Sequence, residues 1–372
     1  MELVLTEPQA RLRARARQVA AEHVAPRAES ADAESRFPEA QVRALADAGL
    51  LTMLVPESAG GTGHGSFAYA LAVAEVAEAC ASTAVTMAVT NMVADAVHAW
   101  GRPDQHERVI PALGSGRWLA GAFALSEPGA GSDASSLKAV ADRIEGGYRL
   151  RGSKCWITSG DQAGVVLVMA KTDSKARSRG ISAFVVELPA EGVEVGRHEE
   201  KMGLRASSTV SLILEDVQVP TSSRLGDEGV GFQIAMRALD GGRIGVASQA
   251  LGIGRAALQE ARQLLPAGSD GLDRWEADLR TAQLLILRAA TLKDLGRPFT
   301  REASMAKLHA TEAANRVALE AYRAVGQATA APSARLERAV RDVRVTTIYE
   351  GTSEIQRLVI ARKVLQDGVA PP

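Results

Sequence analysis

Between residues 118 and 225 the texture of this chain changes from long, alanine-rich helical runs to short β-prone ones, and afterwards it changes back. That helical, β, helical order constrains the fold more than any single motif, because a side-chain period of 3.6 and a period of two cannot share one element. Residues 1–117 read as an N-terminal helical domain. Phe67 to Cys80 and Ser82 to Trp100 are apolar on nearly all sides, as helices inside a bundle are. Polar, Gly-rich breaks at Pro56 to Gly65 and Gly101 to Pro103 punctuate them. No Lys-Ser or Lys-Thr follows the first of these breaks, so it reads as a helix connection and not as a phosphate loop.

Residues 118–225 read as a middle antiparallel β domain. Its runs are Trp118 to Leu125, Tyr148 to Leu150, Cys155 to Thr158, Val165 to Ala170, Ile181 to Glu187 and Thr209 to Val219, with turns at Gly146-Gly147 and Gly192. Residues 226–372 return to helices over Gly231 to Ala261, Leu272 to Leu295, Arg301 to Ala324 and Ser353 to Leu365. Gln327 to Arg335 reads as a loop and the tail after Gly368 as frayed. The fold class is α+β, mostly α.

With 372 residues the chain exceeds one hydrophobic core. Its 46% hydrophobic and 23% charged residues, with net charge −1, are those of a soluble globular protein without a nucleic-acid or anionic-membrane partner. Arg11, Arg13, Arg15 and Arg17 form the densest cationic cluster and read as a solvated helix face. Cys80 and Cys155 make neither a disulfide framework nor a CxxC motif, no secretory signal opens the chain, and no apolar run is long enough to span a membrane. The expected location is the cytoplasm. The histidines lack HExxH spacing, so no metal is expected, and there is no GxSxG elbow. Gly252, Gly254 and Ala257 match a dinucleotide pattern nominally, but no strand precedes them, and they read as close helix packing.

Three segments carry chemistry. Ala124 to Asp133, ALSEPGAGSD, follows a β-like run and presents amides and hydroxyls in a Gly-rich turn that a planar ligand can approach. In Lys154 to Gly160, KCWITSG, strand alternation puts Trp156 and Thr158 on one face, a flat ring beside a hydroxyl, which suits an isoalloxazine. In Ile348 to Arg357, IYEGTSEIQR, Ser353 and Gln356 have capping-box spacing before a helix with Ile355, Leu358 and Val359 on one face. Glu350 then sits just before a helix start, on a turn loosened by Gly351. Desolvation there would raise its pKa toward that of a general base, and the positive helix end would oppose it. Taken singly, each segment reads as an ordinary loop, a core tryptophan or an exposed glutamate.

Together and in this order they resemble the acyl-CoA dehydrogenase family, and the similarity spans nearly the whole chain. Val55-Pro56-Glu57, Lys201 to Arg205 (KMGLR), Glu215 to Pro220 (EDVQVP) and Leu239 to Gly254 add to it. The resemblance implies an N-terminal helical domain, a middle β domain and a C-terminal four-helix bundle, binding FAD. It implies Glu350 as the base for the α-proton of an acyl thioester, on CoA or on a carrier protein. Hydride would leave the β-carbon for the flavin, and the enolate oxygen would be met by the Glu350 amide and a ribityl hydroxyl of FAD. Phe123, Leu125, Ser126, Trp156, Ile157 and Thr158 match flavin-ring positions, and Ser132 one close to both FAD and substrate. Asp240 and Arg243 match a polar pair near the CoA arm, away from the reacting carbons. Gly351 matches a thioester contact, and Thr352 and Glu354 cofactor contacts on the same turn. An electron-transfer flavoprotein or similar acceptor and a homodimeric or homotetrameric assembly are implied partners.

Two departures stand out. Where the family has Arg-x-x-Phe-Gly, this chain runs Ala261 to Gly268, ARQLLPAG, in a shortened region. Where the family has Gln-x-x-Gly-Gly-x-Gly, it runs Arg323 to Thr329, RAVGQAT. Both family elements hold the FAD of a neighbouring subunit, so their loss implies weak cofactor retention in a homo-oligomer, or a heteromer with a homologous subunit that completes the site. A flavin oxidase or monooxygenase on the same fold is the remaining alternative.

Overall fold

A computed structural model describes residues 5–329 and 333–367. The expected frayed tail, and residues 330–332 of the expected loop, lie outside the described residues. The chain opens with α1 (Glu7–Val19), a π-type turn (Ala20–Val24), α2 (Ala25–Glu34) and α3 (Glu39–Asp47), then α4 (Gly65–Ala79), α5 (Ala81–Trp100) and α6 (Pro103–Gly114). α4 is buried almost all round, from Ser66 to Ala77, because α1, α5 and the C-terminal helices enclose it. Arg11 and Arg15 of α1 face solvent as expected, but two of its arginines do more. Arg13 and Arg17 reach Glu75 of α4 at 2.6 and 2.9 Å, since that carboxylate is 4% exposed and needs cationic partners.

The middle of the chain builds one eight-stranded sheet: β1 (Ala120–Ala124), β2 (Val140–Ile144), β3 (Gly147–Thr158), β4 (Ala163–Lys171), β5 (Ile181–Glu187), β6 (Val193–His198), β7 (Thr209–Pro220) and β8 (Arg224–Leu225). The spatial order is β6-β7-β3-β2-β4-β5-β8, with β1 also on β4. The sheet is not wholly antiparallel. β1 runs parallel to β4, and β2 touches β4 in the same sense. The long connection that parallel pairing requires is supplied by the β2–β3 hairpin itself. One face packs on itself around Tyr148, Phe184 and Leu212, and the other lies against α5, α6 and the start of the next helix.

That helix, α7 (Gly231–Leu264), packs with α8 (Leu272–Asp294), α9 (Thr300–Ala328) and α10 (Ala334–Arg344), and α11 (Ser353–Asp367) packs on α9. α10 was not expected from the sequence. Ser333 caps it by accepting Leu336 N–H at 3.2 Å, and Leu336, Ala339 and Val343 bury its inner face. α7 touches its neighbours through glycine. A Cβ on Gly231 would meet the Ser182 backbone at 2.3 Å, and one on Gly252 the Ala74 carbonyl at 2.4 Å. One on Gly254 would meet Leu279 at 2.6 Å, so the nominal GxGxxA is helix packing. No helix among the described residues is long and apolar enough to cross a membrane, and no cluster there could hold a metal ion.

Candidate active site

The turn between α10 and α11 carries Glu350 and Gly351 in consecutive left-handed conformations, φ +55° and +91°. Such a backbone costs a non-glycine residue about 1 kcal/mol or more and persists only where its surroundings hold it. Here the holding groups come from below. Gln356 Nε2 donates to the Glu350 and Gly351 carbonyls at 3.1 and 2.9 Å, and Lys307 Nζ of α9 donates to the Gly351 carbonyl at 2.8 Å. The expected Ser353–Gln356 capping box does not form, because Ser353 is already inside the helix. Thr352 is the cap, its Oγ1 accepting Ile355 N–H at 3.3 Å, while Ser353 Oγ donates to Glu312 at 2.6 Å. The expected apolar face of α11 is only partly covered, with Leu358 51% exposed.

Glu350 lies against α7. A Cβ on Gly242 would come within 2.8 Å of Glu350 Oε2, so glycine alone leaves the carboxylate its place. That oxygen is buried without a hydrogen-bond partner. Burial pushes the Glu350 carboxyl up to about 7, although Arg243 and Lys307 pull it down. Arg243 is 6% exposed, and its Nη1 donates to Asp240 at 2.5 Å and Ser304 at 3.3 Å. Asp240 also accepts from Thr300 Oγ1 at 2.5 Å. Arg243 was expected to stand apart from the reacting end. Its charge acts on Glu350, because the next residue back along α7, Gly242, is the one the carboxylate rests on.

Lys307, Gln356, Gln249 and Tyr69 complete this end of the site; the sequence reading had Gln356 only as a capping residue and missed the other three. Gln249 of α7 accepts the Tyr349 hydroxyl. Tyr69 of α4 fills the space that a Cβ on Gly245 would need and feels the Glu350 charge, though burial is the main reason its hydroxyl is pushed far up. For Lys307 a signal existed: it shares the spacing of Ala303, Ala310 and Ala314, which is the buried stripe of α9.

The other segments meet at the C-terminal end of β3. Pairing of β3 with β7 breaks between Lys154 and Ile157, and Trp156 takes φ +59°. Trp156 is 58% exposed, Thr158 half-buried and Ile157 in the core, so ring and hydroxyl avoid the core together through a bulge and not a regular strand. Gly131 lies against the indole, since a Cβ there would be 3.7 Å from the ring. Cys155 N–H donates to the Ser126 carbonyl at 3.0 Å. Beneath this contact Lys154, wholly buried, donates to Glu127 at 2.8 Å and to the Leu125 carbonyl at 3.2 Å. Burial opposes ionisation of Glu127, but Lys154 and the amides of Lys138 and Ala139 outweigh it and hold that carboxyl below its ordinary value.

Leu125 is buried, so any ligand contact by it or by Ile157 is through backbone. Leu125 and half-buried Phe123 share an apolar cluster with Met236 and Leu239 of α7, within the turn before Asp240. α7 thus runs from the Gly-rich loop to Glu350. Ser132 and Glu354 are exposed, and Glu354 pairs with Arg357 of its own helix at 3.9 Å.

Three family models match the chain in order: acyl-CoA dehydrogenase N-terminal domain over residues 6–117, middle domain over 122–217 and C-terminal domain over 229–365. The chain is 43% identical over 376 residues to the mitochondrial short-chain specific acyl-CoA dehydrogenase of Bos taurus, covering 97% of this chain and 91% of that protein. Among solved structures, butyryl-CoA dehydrogenase from Megasphaera elsdenii is similar with TM-score 0.93 and 35% identity, covering 98% of this chain and all of that one. A chain from a structure of the electron transferring flavoprotein of Acidaminococcus fermentans matches with TM-score 0.95 and 35% identity, covering 99% and 100%.

Proposed function

Since the chain belongs to the acyl-CoA dehydrogenase family, we propose that it α,β-dehydrogenates a short-chain acyl-CoA with FAD, Glu350 removing the α-proton. The observation that carries this reading is the Glu350 carboxyl, poised near neutrality with one oxygen buried and unpartnered. A buried acceptor left without a donor costs about 1–3 kcal/mol, which an incoming C–H acid relieves by delivering its proton there. The names of the relatives, short-chain specific acyl-CoA dehydrogenase and butyryl-CoA dehydrogenase, support the substrate class.

The residues at this end of β3 fit FAD. An indole 58% exposed beside a glycine, with the half-buried Ser126 and Thr158 hydroxyls on the same two segments, is a stacking surface with polar edges. Phe123, Leu125, Ser126, Trp156, Ile157 and Thr158 would hold the ring, with Ser132, Thr352 and Glu354 further along. FAD, when bound, supplies the two-electron acceptor for the β-hydride. Glu350 takes the α-proton on its carboxylate, and the Arg243 and Lys307 charges keep that carboxylate ionisable. Gly242 leaves room for the carboxylate itself, and Gly351, packed on Gln356, is the proposed thioester contact beside it. An electron-transfer flavoprotein is the proposed acceptor. Anaerobic addition of butyryl-CoA to flavin-loaded protein should bleach the flavin absorbance. Unchanged absorbance would overturn the reading, and oxygen consumption with each turnover would favour an oxidase.

A second reading concerns assembly, and rests on Ala261 to Gly268 and Arg323 to Thr329. Arg262, the cation that could replace the missing family arginine, is already paired with Glu276 of α8. A lost charged hydrogen bond is worth roughly 1.5–3 kcal/mol, or about ten- to a hundredfold in affinity. The chain purified alone is therefore expected to carry less than one FAD per subunit after dialysis, and a homologous subunit with both motifs should raise that ratio. Full, tightly retained FAD without a partner would instead establish a self-sufficient homo-oligomer.

A further inference from the structure

We propose that Lys307 is the positioning residue of the base, holding the left-handed turn through the Gly351 carbonyl and setting a fixed positive charge beside Glu350. This rests on the reading of Glu350 as the base.

Lys307 is wholly buried, and its ammonium donates to the Gly351 carbonyl at 2.8 Å. Removing an ammonium from water costs several kcal/mol, more than one neutral carbonyl returns. A lysine kept there needs a negative charge, and Glu350 is the foremost one it feels. The groups facing the pair come from four directions. Arg243 of α7 acts on both, lowering Glu350 and opposing the charge on Lys307. Glu312, on α9 itself, and Glu354 of α11 favour the ammonium. Tyr69 of α4 and the neighbouring Tyr349 are buried hydroxyls that stay protonated beside Glu350. Burial lowers Lys307 to about 8 on balance, which leaves it mostly charged at neutral pH.

The same contact explains the backbone. Glu350 and Gly351 are both left-handed, a pairing that turns their carbonyls toward α9 and α11. Lys307 and Gln356 together meet those carbonyls, so the turn is held from α9 and α11. Gln356 supplies two neutral hydrogen bonds. Lys307 adds the only charge bonded directly to this turn among the described contacts. A merely structural staple would need no charge, and Gln356 already provides one.

Two measurements test this. In Lys307→Met the acid limb of the kcat–pH profile should move to higher pH by about one unit or more, because an opposite charge close by shifts a carboxyl by roughly 1–3 units. A staple alone would lower kcat at every pH and leave the limb in place, and that result would overturn the proposal. The second measurement needs neither turnover nor the lysine variant to fold. With lysine 13Cε-labelled, the Lys307 signal should titrate about one unit or more lower in Glu350→Gln than in wild type, because the coupling is reciprocal. An unmoved lysine titration overturns the coupling even if dehydrogenation is confirmed. Absent turnover with a shifted lysine titration would instead count against the reading of the reaction.

Discussion

Glu350→Gln is expected to lower turnover by about 10²–10⁴-fold or more while folding and thioester binding stay close to wild type. The amide fills the same space against Gly242 but cannot accept the α-proton. It also places a polar group where Oε2 already lacks a partner, and Lys307, deprived of that charge, can release its proton, so the fold is kept. In wild type the sign of the pH dependence follows from the raised carboxyl. Below about 7 Glu350 is protonated and idle, and above it the carboxylate accepts, so activity rises through that pH. Turnover with an artificial electron acceptor measures both. Glu350→Gln retaining activity within about threefold of wild type would remove Glu350 from the catalytic role.

The largest effect on stability is expected at Lys154. Lys154→Met leaves the buried Glu127 carboxylate without its cation, and breaking a buried pair from one side costs about 3–5 kcal/mol. The loss also frees the Leu125 carbonyl, so the Gly-rich loop and the Trp156 strand lose their shared anchor. Denaturant midpoints report the effect, and Lys154→Met with Glu127→Gln should recover part of it, because no charge is then stranded. A single variant within about 1 kcal/mol of wild type would show that the two amides on Glu127 suffice.

What was legible follows the range of the interactions. The change of texture reports burial averaged over many residues, and the helical, β, helical order it implies is the order of the elements. Glu350, Trp156 and Ser126 stood out because their neighbours in sequence carry the pattern. Lys307 did not, since its partner lies 44 positions away and a lysine on a helix ordinarily faces water. The same holds for Arg13 and Arg17, which face a carboxylate 62 and 58 positions on. α10 was missed because its start fell within a stretch dominated by Ala, Pro and Ser, although Leu336, Ala339 and Val343 have helical spacing. The cap of α11 was misplaced by one residue because Thr352 and Ser353 offer equivalent hydroxyls. Only the left-handed turn at Glu350 and Gly351 decides between them.

α7 has a consequence for how this chain can vary. Its glycines rest on β5 at Gly231, on Glu350 at Gly242, on Tyr69 at Gly245, on α4 at Gly252 and on α8 at Gly254. Each contact is close enough to fix both the height and the facing of its residue. Inserting or deleting one residue between Gly231 and Gly254 would slide everything beyond it by about 1.5 Å and rotate it by about 100°. A side chain would then meet backbone where a glycine now does, and the Gly-rich loop and the base would lose their common register. Length changes are thus barred from this helix over more than twenty positions, while the connection that follows it, exposed from Pro266 to Gly268, lies outside these glycine contacts and can absorb them.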